Sequence, residues 1–477
     1  MNSLEHAPVK AFEIDTHLSK VIGWAGAYEG QSIVAYPRSA DEVSSILDYA
    51  RSHGYTVGPI GSSNSLGDCV VNNKNILIST KFLTEVIEWN SSTGIVVVQS
   101  GVTIGQLLCQ FIPLGWILRS IPGVLTATIG GGISHNVHGK DSLVHGNLGR
   151  HIIWIDLMLS GGNVVRCSRT ENIDLFLATV GGFGLTGFIL KAAIQLGKIP
   201  SPNLLCKDTI SKSLDETVEG ITHATGSDYA QVWMDATRKG SGSGRGVVMV
   251  SQFEKENTGA IASDLEQYLV PRERWFGIIP CKWVWRTFRE LFYPPFISYS
   301  NAIYYYKRVL NSALRSTKSV PFHEYYFFHN IIGDFYSVYR PPGFLEIQAL
   351  LPLNGGASGF HRLLEKTNQL GLVSVMSGMK KAIKDDFLLS FSDDAATISL
   401  AFPVRDYGVA NLAQRIAPLY HLIAEMGGKV NLSKDQAMPK DAFRACYKEA
   451  DRFWEIKQRY DPISLFANDM SRRLFGH

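Results

Sequence analysis

An α+β fold organised as two domains is predicted for this sequence by three observations. Helix-capping patterns alternate with short β-branched strands, and a clear hairpin signal lies among them. The length, 477 residues, exceeds what one hydrophobic core usually holds. A proline-marked exit at Lys198-Ile-Pro-Ser-Pro202 and a return near Gly427-Gly-Lys429 set the expected division. Residues 1–200, completed by 429–477, form one domain, and residues 201–428 form the other.

Composition narrows the function classes. Hydrophobic residues make up 45% of the chain and charged ones 19%, which favours packed domains over long disordered tails. A formal net charge of +3 leaves no electrostatic footprint for nucleic acid. Cys69, Cys109, Cys167, Cys206, Cys281 and Cys446 form no CxxC pair and have no histidine at metal-ligand spacing. Neither a disulfide framework nor a metal site is expected. Met1–Asp15 lacks an apolar stretch of signal-peptide length, and no apolar run is long enough to span a bilayer. A cytoplasmic location follows as the expectation.

Ser39 with Glu42 reads as a capping box, opening a helix whose Val43, Ile46, Leu47 and Ala50 fall at helical spacing before Gly54. Tyr55-Thr-Val57 begins a strand that runs into Gly58–Asp68, a loop of small residues rich in N–H and hydroxyl donors. Asn75–Thr80 and the β-branched Gly94–Gln99 read as strands. Thr103 with Gln106 is a second capping box, for a helix through Leu107, Leu108 and Phe111. Ile152–Leu159 and Val164–Cys167 form a hairpin through Ser160-Gly-Gly-Asn163, followed by a short helix at Leu175–Thr179 and a strand at Phe188–Leu196.

Between them lies Ile121–Asp141, with three consecutive glycines, Gly130–Gly132, and then His138, Gly139 and Lys140. Backbone without Cβ atoms permits positive φ and lets N–H groups approach an anion closely. Two familiar phosphate motifs fail here. Gly182, Gly184 and Gly187 satisfy G-x-G-x-x-G, but a helix precedes them and a strand follows, the reverse of a dinucleotide-binding βαβ unit. Gly139-Lys140 is no P-loop, because Ser134 stands where the first glycine belongs and Asp141 replaces the magnesium-binding hydroxyl residue.

Several segments in order, Asn64-Ser-Leu-Gly-Asp68, Val137-His-Gly-Lys140, Ala178–Gly187, Gly343–Gln348 and Asp461–Arg473, resemble the vanillyl-alcohol oxidase family of PCMH-type flavoproteins. The similarity is to its decaprenylphosphoryl-ribose oxidase branch, the flavoprotein half of a two-enzyme epimerase. It implies a two-subdomain FAD-binding domain and a substrate domain built on an antiparallel sheet with flanking helices. It places FAD on three segments: Gly61, Ser62, Ser63, Asn64, Ser65 and Leu66; then Pro122, Gly123, Thr128, Gly130, Gly131, Ser134, His138 and Gly139; then Gly182, Gly187 and Ile189. Relatives that bind flavin covalently carry a histidine at the position of Asn64, and an amide cannot form that bond. The FAD is therefore expected to be non-covalent.

The resemblance also assigns the substrate side. Lys434 matches the family's essential lysine, and Lys140, Gln348, Trp233 and Lys380 match pocket residues. Ser399 stands where members carry a pocket cysteine. Trp233 reads equally well as a core tryptophan. Glu346 and Gln348, two apart on an apolar strand, share one face and suggest a pocket wall. Arg272–Arg308 interleaves aromatic and basic residues; a helix from Cys281 would carry Lys282, Arg286 and Arg289 on one face and Trp285, Phe288 and Phe292 on another. That pattern suits either a membrane interface or ordinary packing on the core.

The implied reaction removes a hydride from a sugar carbinol, with His138 or Lys434 as the base. The implied substrate is a lipid-linked pentose, with an NAD(P)H-dependent short-chain reductase as functional partner and peripheral membrane contact. A soluble alditol or aldonolactone substrate, and a flavin-binding subunit without catalysis, remain as alternatives. Purified protein should be yellow, and acid precipitation should leave the flavin in the supernatant; a flavin that stays with the pellet would contradict the reading of Asn64.

Overall fold

A computed structural model describes residues 15–255, 272–314, 317–327 and 332–476. Three sheets organise them. In the first, Leu18–Ile22, Glu29–Ala35, Ile76–Ser79 and Val57–Ile60 lie side by side in that order. The last two pair in parallel, and Glu29–Ala35 also runs parallel to Ile76–Ser79. The helix Ala40–His53 buries Val43, Ile46, Leu47 and Ala50 in the core that includes Ile33, Val57, Ile76 and Ile78.

The second sheet is antiparallel, in the order Val86–Asn90, Ile95–Gln99, Phe188–Gln195, Ile152–Met158 and Val164–Ser168. The predicted hairpin is its outer pair. The third and largest has eight strands: Lys318–Pro321, Asn203–Ser211, Gly246–Phe253, Tyr229–Met234, Met376–Lys381, Ala395–Pro403, Phe344–Pro352 and Lys429–Val430. Alternation decides its two faces. Leu345, Ile347, Ala349 and Leu351 pack in one core with residues of the helices Leu214–Thr222, Ser358–Gln369 and Val409–Glu425. Glu346 and Gln348 sit on the opposite face.

Local signals were carried out with small changes. Thr103 and Gln106 form the full capping box. Ser39 accepts from the Glu42 N–H at 3.2 Å, but the Glu42 carboxylate reaches one residue further back, to the Arg38 N–H at 2.7 Å. Residues 440–460 form two helices, Lys440–Cys446 and Ala450–Tyr460. The segment predicted as a helix from Cys281 is a short α-helix, Cys281–Thr287, followed by a 3₁₀ turn, Arg289–Phe292. Its aromatic face is divided: Trp285 is half-buried and donates its indole N–H to Gly333 O at 2.8 Å, whereas Phe288 is exposed.

The glycine run departs most from expectation. Gly130–Gly132 lie inside a short helix, Ile129–Ser134, capped by Thr128, and none has a positive φ. They are needed for contact instead: a Cβ on Gly130 would press on Ser100 at 2.8 Å, and one on Gly132 on Leu148 at 2.9 Å.

The segment after residue 461 returns to the first sheet. Phe466 bridges Val57 in parallel, and the helix Asp469–Phe475 presents Arg473 to the interior. Arg473 donates to both Asp68 oxygens at 2.6 and 3.0 Å, to Asp435 at 2.8 Å and to Met438 O at 2.7 Å. Both carboxylates are almost completely buried. Removing one member of a buried ion network strands its partners in low dielectric, at a cost of about 3–5 kcal/mol. Arg473→Ala should therefore lower the thermal unfolding midpoint sharply, with Arg473→Lys intermediate; equal midpoints for Arg473→Ala and wild type would refute the clamp.

Candidate active site

The sheets enclose a cavity of about 2090 Å³. A site for one small molecule usually measures roughly 300–1,000 Å³, so this space suits two ligands end to end. One end is built from the small-residue loop and the glycine segment. Gly61 to Leu66, Pro122, Gly123, Thr128, Gly130, Gly131 and Ser134 all line it. The two segments abut: a side chain on Gly61 would collide with Thr128, and the Asn64 amide donates to Thr126 Oγ1 at 3.1 Å. A Cβ on Gly123 would meet no atom within 4 Å, and one on Gly131 would meet only Thr128 Oγ1 at 3.1 Å, so both backbones open onto the cavity.

Thr80 Oγ1 and Ser100 Oγ also line this end, buried and without a hydrogen-bond partner among the described residues. Orphaned hydroxyls beside bare backbone are what a polar, anionic ligand would complete. The cradle thus fits the diphosphate and ribose of a dinucleotide such as FAD.

The other end lies against the large sheet. Lys434 donates to Glu346 Oε1 at 2.7 Å. Lys380, on Met376–Lys381, and Ser399, on Ala395–Pro403, face the same space, as does Trp233, whose ring packs against Tyr304 at 4.6 Å between centroids. Lys140 is gripped: its ammonium donates to Tyr325 O at 2.9 Å and Tyr326 O at 3.0 Å and lies 4.8 Å from both ring centroids. His138 lines the cavity with its ring 5.7 Å from that of Phe391.

Crowding of cations in a poorly hydrated space shapes their titration. Burial, then the Lys434 charge, lowers Lys380 to about 8. Burial, then the Lys380 charge, lowers Lys140 to about 7. Burial, with Lys380 and Lys434 adding to it, holds His138 well below 6.5, so its imidazole is neutral at physiological pH.

Four sequence-assigned residues lie off the cavity wall. Gln348 is buried behind it, its carbonyl accepting from the Asn431 amide at 2.7 Å, while Glu346 and Asn431 take the wall positions. Gly139 is a packing glycine, since any side chain would collide with Tyr326 and Asp141. Gly182 backs onto Ala178 O, and Gly187, with φ of 157°, onto Met158 O and Leu157. From that loop Phe183 and Gly184 reach the cavity instead, and Ile189 does so as assigned.

Sequence reasoning also passed over His135 and Ser433. The Ser433 hydroxyl and His135 Nδ1 lie 2.8 Å apart, and the Leu66 N–H donates to Ser433 O at 3.1 Å. The cofactor loop, the glycine segment and the Lys434 loop therefore meet at one point. No local pattern could announce this, because the contact joins residues hundreds of positions apart.

Comparison with known proteins agrees with the geometry. Residues 31–168 match a family model described as an FAD binding domain. Decaprenylphosphoryl-beta-D-ribose oxidase of Mycolicibacterium smegmatis is 26% identical over 97% of this chain and 98% of its own length. L-gulonolactone oxidase of Mus musculus is 22% identical over 95% of this chain and 97% of its own length. D-arabinono-1,4-lactone oxidase of Yarrowia lipolytica is 26% identical over 44% of this chain and 40% of its own. The chain is thus an FAD-dependent oxidoreductase acting on CH–OH groups that carries an FAD-binding domain and is similar from end to end to decaprenylphosphoryl-β-D-ribose oxidase.

Proposed function

We propose that this chain oxidises the 2′-hydroxyl of a polyprenyl-phosphoryl pentose to the ketone, as the oxidase half of an epimerisation. The keto-sugar would pass to an NAD(P)H-dependent short-chain reductase, which completes the inversion. The observation that carries this reading is the convergence of Lys140, Lys380 and Lys434 on the space beside the cofactor cradle. Two of them have depressed proton affinity because they are buried and each faces a neighbouring lysine charge. A phosphate ester supplies that anion; a neutral sugar alcohol does not.

FAD, when bound, accepts the hydride from the carbinol carbon. The chain's own task is the hydroxyl proton and the developing charge on oxygen. His138, neutral and enclosed, is the acceptor of that proton. Lys434 is already committed as an ammonium donor to Glu346, which suits it to stabilise an oxyanion rather than to take a proton. Glu346 and Asn431 hold the lysine loop against the sheet and keep that donor in place. The reading keeps the flavin dissociable, because Asn64 offers no nucleophile for a covalent link.

A second reading has its own support. Lactone oxidases align with the chain over long stretches, so a soluble aldonolactone or alditol is the competing substrate class.

Two measurements decide. An anionic substrate should raise the proton affinity of Lys380 and Lys140, so its binding near pH 7.5–8 should take up protons. Calorimetry in buffers of different ionisation enthalpy would show this; turnover of free alditols with no proton uptake would favour the second reading. Lys434→Met should retain FAD but slow anaerobic flavin bleaching about a hundredfold or more. In wild type that rate should stay level from neutrality to well below pH 6.5, then fall as His138 protonates. His138→Asn should be slow throughout and lack the acid limb.

A further inference from the structure

We propose that Lys380 is a nucleophilic amine that captures an uncharged aldose or ketose in the cavity as an imine. Three lysines face the space beside the cofactor cradle, and their surroundings differ. Lys434 is held by the Glu346 carboxylate at 2.7 Å. The Lys140 nitrogen is fixed between two backbone carbonyls and two tyrosine rings, and adding a carbon to it would break those contacts. Lys380 is not held in either way. Its backbone N–H donates to Thr397 Oγ1 at 3.1 Å, but its side-chain nitrogen has no hydrogen-bond or ion-pair partner among the described residues.

The strand sets where that amine points. Met376–Lys381 is paired on both sides, with Tyr229–Met234 and with Ala395–Pro403, inside the large sheet. Alternation sends neighbouring side chains to opposite faces. Lys381 goes to the far face, where its ammonium donates to Thr222 O at 3.0 Å, and Lys380 goes to the cavity.

Charges reach Lys380 from three directions. Lys434 stands on the loop after Lys429–Val430, Glu346 on Phe344–Pro352, and Asp141, with Lys140 and His138, on the glycine segment. Burial and the Lys434 charge outweigh the two carboxylates and bring Lys380 to about 8. Desolvation beside a second cation is an established way of making an enzyme lysine nucleophilic. A phosphate ester bound here would return the proton and silence the amine, whereas a neutral sugar brings no such anion.

In the step itself the amine nitrogen bonds to the carbonyl carbon, the C–O bond breaks, and the oxygen leaves as water with both hydrogens of the neutral amine. Nothing is oxidised or reduced, and hydrolysis reverses the step. A ketose made in the cavity from an uncharged alditol would be held for a time on the wall beside which it formed.

The test is reductive trapping of the FAD-loaded protein with D-glyceraldehyde and cyanoborohydride, mapped by peptide mass spectrometry. Nα-acetyl-lysine in the same tube serves as the free amine, which titrates near about 10.4. At pH 8 Lys380 should be labelled about tenfold faster than that amine, or more, and its rate should reach half its plateau near pH 8. Lys434→Met removes the neighbouring cation and releases Glu346, so the half-point should move to higher pH. Lys380→Arg should lose the label and keep the flavin absorbance. Labelling of Lys380 no faster than the free amine would overturn the proposal, as would a half-point unmoved by Lys434→Met. Trapping needs no turnover, so its failure would leave the polyprenyl-sugar reading where it stands.

Discussion

The clamp made by Arg473 on Asp68 and Asp435 is the constraint on which the rest of the site depends. Asp68 ends the loop that lines the cofactor cradle, and Asp435 follows the lysine at the far end of the cavity. Burial pushes Asp68 up, the Asp435 charge adds to that push, and the guanidinium beside it is the main group opposing it. Tyr420 and the N–H groups of Ala437 and Met438 donate to the other Asp435 oxygen at 2.8, 3.1 and 3.0 Å. Gly67 lies so close to Asp435 O that no side chain fits between the two loops. The place where a dinucleotide would lie and the place where Lys434 points are thus set by the same few bonds.

Electrostatics inside the cavity follow from enclosure more than from composition. The chain is nearly neutral, yet three ammonium groups face one space with Glu346 as the carboxylate paired directly to one of them. Added to burial, the Lys434 charge lowers the hold of Lys380 on a proton and the Lys380 charge that of Lys140, and the neutral His138 among them is left able to accept one. Asp141, buried behind Lys140, is itself pushed up to about 6 and accepts the Ser120 N–H at 2.7 Å. The polar wall is therefore a set of mutually adjusted groups, in which no residue's behaviour follows from its identity alone.

Much of this was legible in the chain. The capping box at Thr103, the 152–168 hairpin and the strand 344–352 were read correctly because each is a short-range signal. The Gly61–Leu66 loop and the glycine run were legible as a cradle because small residues leave backbone bare whatever conformation they adopt. That conformation was not legible: three glycines with no positive φ form a helix because Thr128 caps it and Ser100 and Leu148 leave no room for a Cβ. Gly139, Gly182 and Gly187 look like binding glycines and are packing glycines, a difference that depends on neighbours distant in sequence. Gln348 was assigned to the right face of its strand, but Asn431 arrives from the far end of the chain and covers it.

The position of Arg473 has a consequence for synthesis. A ribosome would have made the cradle segments, residues 61–134, long before the strap that fastens them, and the Val57–Phe466 bridge also awaits a segment some four hundred residues downstream. Until then Asp68 has no countercharge and the Leu66 N–H has no Ser433 carbonyl to meet. The cradle loop and the lysine loop can therefore be fixed to each other only once residues 433–473 have been made.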